Sequence, residues 1–305
     1  MVVDPERNVD GYLAYLARNE LKLRGIFLTH PHADFVPGHA ELAARSGAGI
    51  FISGRAPATF VHQDLKEGDR LALGTLELEI IETPGHSPDS ICLSVLESGV
   101  PVALFSGDTL FAGDVGRPDL RDGEVGSQEL AAMLHDSLFD KLLKLPSEVK
   151  VYPAHGAGSL CGRQISSAPF TTIGQEAATN WALQFTDREQ FVTAMVANLP
   201  DRPPYFSRSM TINLQGAPFL SDRPALTHLG PAIFCENPAS TQIMYSIMTS
   251  ASPTGAAGCS SSVSATRLAC ARSSGTAMVS QNVPRRSGPR ASSKPDRSPS
   301  PKMTV

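Results

Sequence analysis

Histidine and aspartate cluster in one short stretch of the sequence, directly after an apolar run. His30, His32 and Asp34 lie within five residues, and they follow residues 25–29, which form the short apolar run typical of a buried strand. Imidazoles and carboxylates rarely cluster beside a core unless they bind a metal ion or pair tightly, because burying them alone costs free energy. This stretch is therefore a candidate metal-binding motif.

Three later strand ends each supply one more side chain of the same kind. His86 lies in a turn of small residues that follows a predicted hairpin. Asp108 follows the apolar run 102–105, and His155 follows the run 149–152. Each of these residues alone is ambiguous between a structural and a functional role. Because α/β sheets build their sites at the carboxyl ends of strands, we expect all of them to converge on one cleft.

Strand and helix patterns alternate up to about residue 165, with short connections between them. The predicted strands are 25–29, 50–53, 91–96, 102–105 and 149–152, with a hairpin at 71–81. The predicted helices are 9–21, 39–46 and 189–199, and a further one carries Leu130, Leu134, Leu138 and Leu142 on a single face. This alternation indicates a layered α/β domain.

Composition divides the chain into three predicted segments. Residues 1–165 form the catalytic domain, and residues 166–235, which are polar and punctuated by proline, form its C-terminal extension. Residues 236–305 are rich in Ser, Ala, Pro, Gly and Arg, and are predicted to be a disordered basic tail because they offer little apolar area to bury. The segment from Arg267 onward has a formal net charge of +7. Because the whole chain has a net charge of −4, the rest of the chain has −11 (−4 minus +7).

Charge and cysteine usage exclude several classes of protein. The acidic body lacks a basic groove and the tail lacks interleaved aromatic residues, so we expect no nucleic-acid partner. No apolar run approaches the roughly 20 residues of a membrane span. Five widely spaced cysteines favour a reducing compartment, and Asp4 and Glu6 stand where a signal peptide would be basic and apolar, which predicts a cytoplasmic protein.

The order of these motifs resembles the metallo-β-lactamase superfamily. The stretch 29–34 (Thr-His-Pro-His-Ala-Asp), followed by His86, Asp108 and His155, is similar to the HxHxDH…H…D…H series of that superfamily. The 56-residue separation between His30 and His86 resembles its glyoxalase II-like branch. The stretch 113–119 (Gly-Asp-Val-Gly-Arg-Pro-Asp) is similar to the persulfide dioxygenase (sulfur dioxygenase) group, especially bacterial forms related to rhodanese-fused members.

The resemblance implies an αββα sandwich with a metal site. The first strands of that sandwich precede the segment with which this chain begins, so we expect the domain to lack them. By the resemblance, His30, His86 and Asp108 hold one Fe(2+) ion per chain, while His32, Asp34 and His155 support the site without binding metal. Dinuclear hydrolases of the superfamily have a further histidine where this chain has Phe35, which favours one metal.

The activity implied by the resemblance is oxidation of a low-molecular-weight thiol persulfide by O₂ to sulfite and thiol. Arg117 is expected to hold a substrate carboxylate or, with equal weight, to form an ion pair with Asp119 that shapes its loop. Cys161 is expected near the substrate, with a packing role as its alternative. The sequence leaves open a homo-oligomer, a glyoxalase II-like thioester hydrolase that uses Zn(2+), and a truncated, non-catalytic remnant.

Overall fold

Two β-sheets form the centre of the molecule in the computed structural model, which describes residues 1–121 and 125–222. The first sheet has four parallel strands in the order β1-β2-β3-β4. These strands are β1 (Val2–Val3), β2 (Gly25–Phe27), β3 (Gly49–Ser53) and β4 (Gln63–Leu65). Parallel pairing brings the carboxyl ends of β1 and β2 to one edge, where the chain continues into Asp4 and into the motif 29–34.

The second sheet has six strands in the order β10-β9-β8-β7-β6-β5. They are β5 (Arg70–Leu73), β6 (Leu76–Glu82), β7 (Ile91–Glu97), β8 (Val100–Gly107), β9 (Lys150–Pro153) and β10 (Thr171–Thr172). All neighbours are antiparallel except β8 and β9, which run parallel and are joined by the long crossover that a parallel pair requires. Asp108 and His155 therefore leave the sheet at the same end.

The two sheets pack face to face through their apolar side chains. Leu78 and Ile80 of β6 and Leu93 of β7 share one buried cluster with Phe27 and Leu65 of the first sheet. Burial of this apolar area is the main force that holds the sheets together, at roughly 25 cal/mol per Å².

Helices cover the outer face of each sheet. They are α1 (Asp10–Arg18), α2 (His39–Ser46), α3 (Ser127–Asp136), α4 (Ile173–Thr179), α5 (Arg188–Val196) and α6 (Phe206–Gln215). Leu42 of α2 packs with Ile26 outside the first sheet, and Leu134 of α3 packs with Leu104 outside the second. The leucine face predicted around α3 is fully buried. The layers are thus helix, sheet, sheet and helix, which confirms the predicted αββα sandwich.

Several predictions about chain organisation are not tested by this fold. The division at residue 165 and the expected lack of first strands stay predictions, and the predicted tail 236–305 lies outside the described residues. Within the residues that are described, no helix has the length and apolar character needed to cross a membrane.

Candidate metal centre

The predicted site residues meet at one edge of the sandwich and come from four different strand ends. The loop after β2 carries His30, His32 and Asp34, and the turn between β6 and β7 carries His86. Asp108 follows β8 and His155 follows β9. Among the described residues, three groups of three side chains bring their ligand atoms within 4.8 Å of one another. Two of these groups contain only histidine and aspartate: His30 with His86 and Asp108, and His32 with Asp34 and His155.

His30, His86 and Asp108 form the more deeply buried of the two groups. Oδ2 of Asp108 lies 3.8 Å from Nε2 of His30 and 3.4 Å from Nε2 of His86. The two imidazole rings are nearly perpendicular, with centroids 4.9 Å apart. Two histidines and one carboxylate are the ligand set of non-haem Fe(II) sites, although Zn(II) accepts the same atoms.

Hydrogen bonds fix which nitrogen of each histidine carries the lone pair. Nδ1 of His86 lies 3.0 Å from the carbonyl oxygen of Arg117, which can only accept, so Nδ1 carries the proton. The Thr29 hydroxyl donates to Asp4 at 2.7 Å, so its contact of 3.1 Å with Nδ1 of His30 requires that nitrogen to donate. In both rings the lone pair therefore lies on Nε2, which faces Asp108. A metal-binding histidine typically donates a hydrogen bond in this way from the ring nitrogen that does not bind the metal.

The protonation states suit a cation at this position. Burial lowers the pKa of His30 and His86, so both imidazoles are neutral near pH 7. Burial alone would raise the pKa of Asp108, but the charge of the neighbouring His155 holds it well below its usual range. Both Asp108 oxygens and Nε2 of His30 are buried without a hydrogen-bond partner. A divalent cation would satisfy all three atoms, so these residues fit a metal ion.

The second group, His32 with Asp34 and His155, borders the first through Asp108. Nε2 of His155 lies 3.3 Å from Asp34 and 3.4 Å from Oδ1 of Asp108. Burial lowers the pKa of His155, but these two carboxylates outweigh it and raise the pKa to about 9. The structure thus brings the ligand atoms of His32, Asp34 and His155 together beside the first group.

Phe35 lies against this second group. Its ring centroid is 4.4 Å from that of His32 and 6.2 Å from that of His155. A phenyl ring has no lone pair for a metal. Phe35 is therefore in contact with the second group but contributes no ligand.

The loop that contains Arg117 packs directly on the metal ligands. A Cβ atom on Gly116 would lie 1.9 Å from the carbonyl oxygen of Asp108 and 2.9 Å from Cβ of His86, so only glycine fits. The buried Arg117 guanidinium donates from Nε and Nη2 to Asp119, at 2.8 and 2.6 Å, and from Nη2 to the carbonyl of Pro200. This is the loop-shaping ion pair expected as one alternative; substrate binding by Arg117 stays a prediction.

A buried carboxylate joins this loop to the segment that carries Cys161. Asp114 accepts hydrogen bonds from the backbone N–H groups of Arg163 and Gln164, at 2.5 and 2.6 Å, and from the indole N–H of Trp181 at 2.8 Å. The Cys161 thiol lies within 4.8 Å of ligand atoms of Asp108 and His155. Its pKa is raised by burial and by the nearby carboxylates, so the thiol is uncharged. Contact between Cys161 and a substrate stays a prediction.

Asp4 is a site residue that the sequence did not predict. Its carboxylate accepts hydrogen bonds from the backbone N–H and the hydroxyl of Thr29, at 2.8 and 2.7 Å, and lies 3.2 Å from Nε2 of His32. Burial lowers the pKa of His32, but Asp4 outweighs it and the net shift is upward. Asp4 follows β1 as Asp108 follows β8, so the same strand-end pattern was a signal that could have identified it.

Comparison with known families decides the class of this metal centre. The family model of the metallo-beta-lactamase superfamily matches residues 2–155, which hold every candidate ligand. The chain belongs to the metallo-beta-lactamase superfamily.

Curated relatives in this superfamily carry a hydrolase name. A hydroxyacylglutathione hydrolase from Hahella chejuensis (strain KCTC 2396) is 41% identical over 154 residues, 50% of this chain and 56% of the relative. One from Pseudoalteromonas translucida (strain TAC 125) is 33% identical over 236 residues, 77% of this chain and 81% of the relative. The chain spans only a little over half of the first relative's length. Family membership therefore does not assign the relatives' activity to this chain.

Solved metallo-beta-lactamase folds superpose on the chain. A metallo-beta-lactamase from Staphylococcus aureus subsp. aureus COL gives a TM-score of 0.68 at 29% identity and covers 75% of this chain and 68% of that one. The structure of ETHE1 from Myxococcus xanthus gives a TM-score of 0.59 at 30% identity and covers 69% and 85%, respectively. Superfamily membership accounts for a metal-binding site of histidine and aspartate, but it does not choose between iron and zinc.

Proposed function

We propose that this protein is a persulfide dioxygenase that uses one Fe(2+) ion to oxidise a low-molecular-weight thiol persulfide, such as glutathione persulfide. The observation that supports it best is a complete group of His30, His86 and Asp108 beside a second group in which Phe35 takes the place of an imidazole. The similarity of the stretch 113–119 to that enzyme group and the likeness to ETHE1 give further, weaker support.

The proposed reaction is balanced with water as the only additional reactant. A persulfide RSSH, O₂ and H₂O give RSH, sulfite and two protons. The outer sulfur loses four electrons and O₂ gains four, while the bond between the two sulfur atoms breaks. Nε2 of His30, Nε2 of His86 and the Asp108 carboxylate would hold the Fe(2+) ion, which would supply the redox chemistry when bound.

The remaining residues of the site act on protons and on water. Nε2 of His155 carries a proton between Asp34 and Asp108, so this atom is placed to protonate a thiolate product. Apolar side chains of Ala33, Phe111 and Phe206 pack around Cys161 and exclude water from that side. Exclusion of water protects reactive sulfur species from side reactions.

A second candidate function is hydrolysis of a hydroxyacylglutathione thioester with zinc. It is favoured by the names of the curated relatives, one of which aligns with 77% of this chain, and by the three ligand atoms that His32, Asp34 and His155 bring together. A zinc-bound water would be the nucleophile in that reaction. Phe35 counts against it, because the second group gains no further imidazole there.

The test is a metal count together with two assays on the same full-length protein. We expect about one iron per chain, O₂ uptake with glutathione persulfide and formation of sulfite. His86→Ala should abolish both activity and metal binding. His135→Ala should not, because His135 hydrogen-bonds Asp136 and the Thr186 carbonyl, neither of which is a candidate ligand. Two zinc ions per chain with thioester hydrolysis and no O₂ uptake would overturn the proposal.

A further inference from the structure

Helix α6 contacts the metal-ligand loop through one buried amide. Nδ2 of Asn213 donates hydrogen bonds to the carbonyl oxygens of His32, at 2.6 Å, and of Phe35, at 2.8 Å. Asn213 is 3% exposed and stands 181 residues after His32. The two carbonyls flank Asp34 in the loop that also carries His30, so this amide holds the backbone of the ligand loop from outside.

The amide has only one workable orientation. A primary amide nitrogen carries two hydrogens, and both are used here. Oδ1 of Asn213 is buried without a partner, which costs free energy that the two bonds must offset. Rotation by half a turn would point Oδ1 at two carbonyl oxygens, and the resulting repulsion excludes it. The side chain therefore holds the loop through two hydrogen bonds in one fixed orientation.

Both ends of α6 are held by contacts with other segments of the chain. Phe206, at its first position, packs with Ala33, Phe111 and Cys161. At its end, the carbonyl of Leu214 accepts a hydrogen bond of 2.8 Å from the Thr59 backbone. Phe206 and Asn213 are seven residues apart and so lie on the same face of the helix. That face is directed at the loop 30–35.

We propose that Asn213 is a positioning residue of the metal centre. By fixing the backbone at His32 and Phe35, it holds Nε2 of His30 towards Asp108 and thereby raises the affinity of the site for a divalent cation. Supporting hydrogen bonds of this kind typically change metal affinity by about 10- to 100-fold. This role rests on the metal centre of the proposed function, but not on which reaction occurs there.

The test uses Co²⁺ titration of the full-length, metal-free protein, followed by the visible absorption of the bound ion, which reports ligand geometry. Asn213→Leu removes both donors at similar volume, and Asn213→Asp keeps the shape but has no N–H. Both variants should bind Co²⁺ about 10- to 100-fold more weakly and with a changed spectrum. The control is Thr211→Ala, on the exposed face of α6, which should match the wild type.

Wild-type affinity and spectrum in either folded variant would overturn the role of Asn213. If Asn213→Leu does not fold, as judged by urea unfolding, Asn213→Asp decides the question alone. Failure of the wild type itself to bind Co²⁺ would overturn the metal centre and the proposed function with it. The two failures are therefore distinguishable.

Discussion

The carbonyl oxygen of Arg117 accepts a hydrogen bond of 3.0 Å from Nδ1 of His86. The side chain of the same residue is locked by a two-bond contact with Asp119. The guanidinium therefore fixes the backbone of its loop, and the backbone in turn orients a metal ligand. Arg117 therefore acts on the metal centre through its backbone carbonyl. This role does not depend on whether its side chain also binds substrate.

Replacing Asp119 tests this connection. Asp119→Asn should lower the free energy of unfolding by about 1–3 kcal/mol, because the buried guanidinium loses charge-assisted bonds. Metal affinity should fall about tenfold as His86 loses its fixed orientation. Asp136→Asn is the matched control, because Asp136 accepts the same kind of two-bond contact from the exposed Arg188. This substitution should leave the metal affinity unchanged. Equal affinity in both variants would contradict the connection.

Phe35 is predicted to limit the number of metal ions. Phe35→His would place an imidazole next to His32 and close to His155, and we expect bound zinc to rise from about one to about two per chain. Phe35→Leu, which adds no ligand, should stay at one. Elemental analysis of the purified proteins measures this number, and two ions in the wild type would refute the prediction.

His39 should make the protein less stable in acid. The residue is completely buried with no hydrogen-bond partner on either ring nitrogen, and burial lowers its pKa to about 4. Between about pH 6.5 and pH 4 the unfolded chain binds a proton that the folded protein does not, so stability falls as pH falls. The full loss is about 3 kcal/mol.

His39→Leu removes this proton and should flatten the pH dependence by that amount. Urea unfolding of metal-free wild type and variant between pH 7.5 and pH 4 gives the difference. A difference in unfolding free energy that does not change with pH would show that His39 does not titrate as expected.

His155 should behave in the opposite way in metal-free protein. Burial lowers the pKa of His155, but Asp108 and Asp34 outweigh this effect and raise the pKa to about 9. The stabilisation is complete below the unfolded value near 6.5 and is lost as pH rises through about 9. Asp34→Asn should lower the pKa of His155, which NMR titration of the ring measures directly. An unchanged titration would mean that Asp34 does not contribute.

Close packing of Gly116 on two ligands gives a further test. Gly116→Ala forces a methyl group against the carbonyl of Asp108, so the free energy of unfolding should fall by about 1–3 kcal/mol and metal affinity should fall as well. Gly11→Ala is the control, since Gly11 lies in α1 with open space around it and should gain up to about 1 kcal/mol. Thermal unfolding with and without metal compares them.

The sequence by itself predicted the fold class and named the candidate ligand residues. Short apolar runs such as that before His30 are typical of buried strands, and polar residues that follow such strands emerge at a sheet edge. The chemistry of the phenyl ring at Phe35 is likewise a property of the residue, wherever it lies.

Only the tertiary structure decided how those ligands are held. Which nitrogen of His86 faces Asp108 depends on the carbonyl of Arg117, and the loop after β2 is fixed by Asp4 and by Asn213. These contacts join segments 25 to 181 residues apart, so no local periodicity or spacing encodes them. The same holds for the bond from the Arg117 guanidinium to the carbonyl of Pro200, 83 residues away. The ion pair of Arg117 with Asp119 joins residues only two positions apart, and the sequence offered it as one alternative.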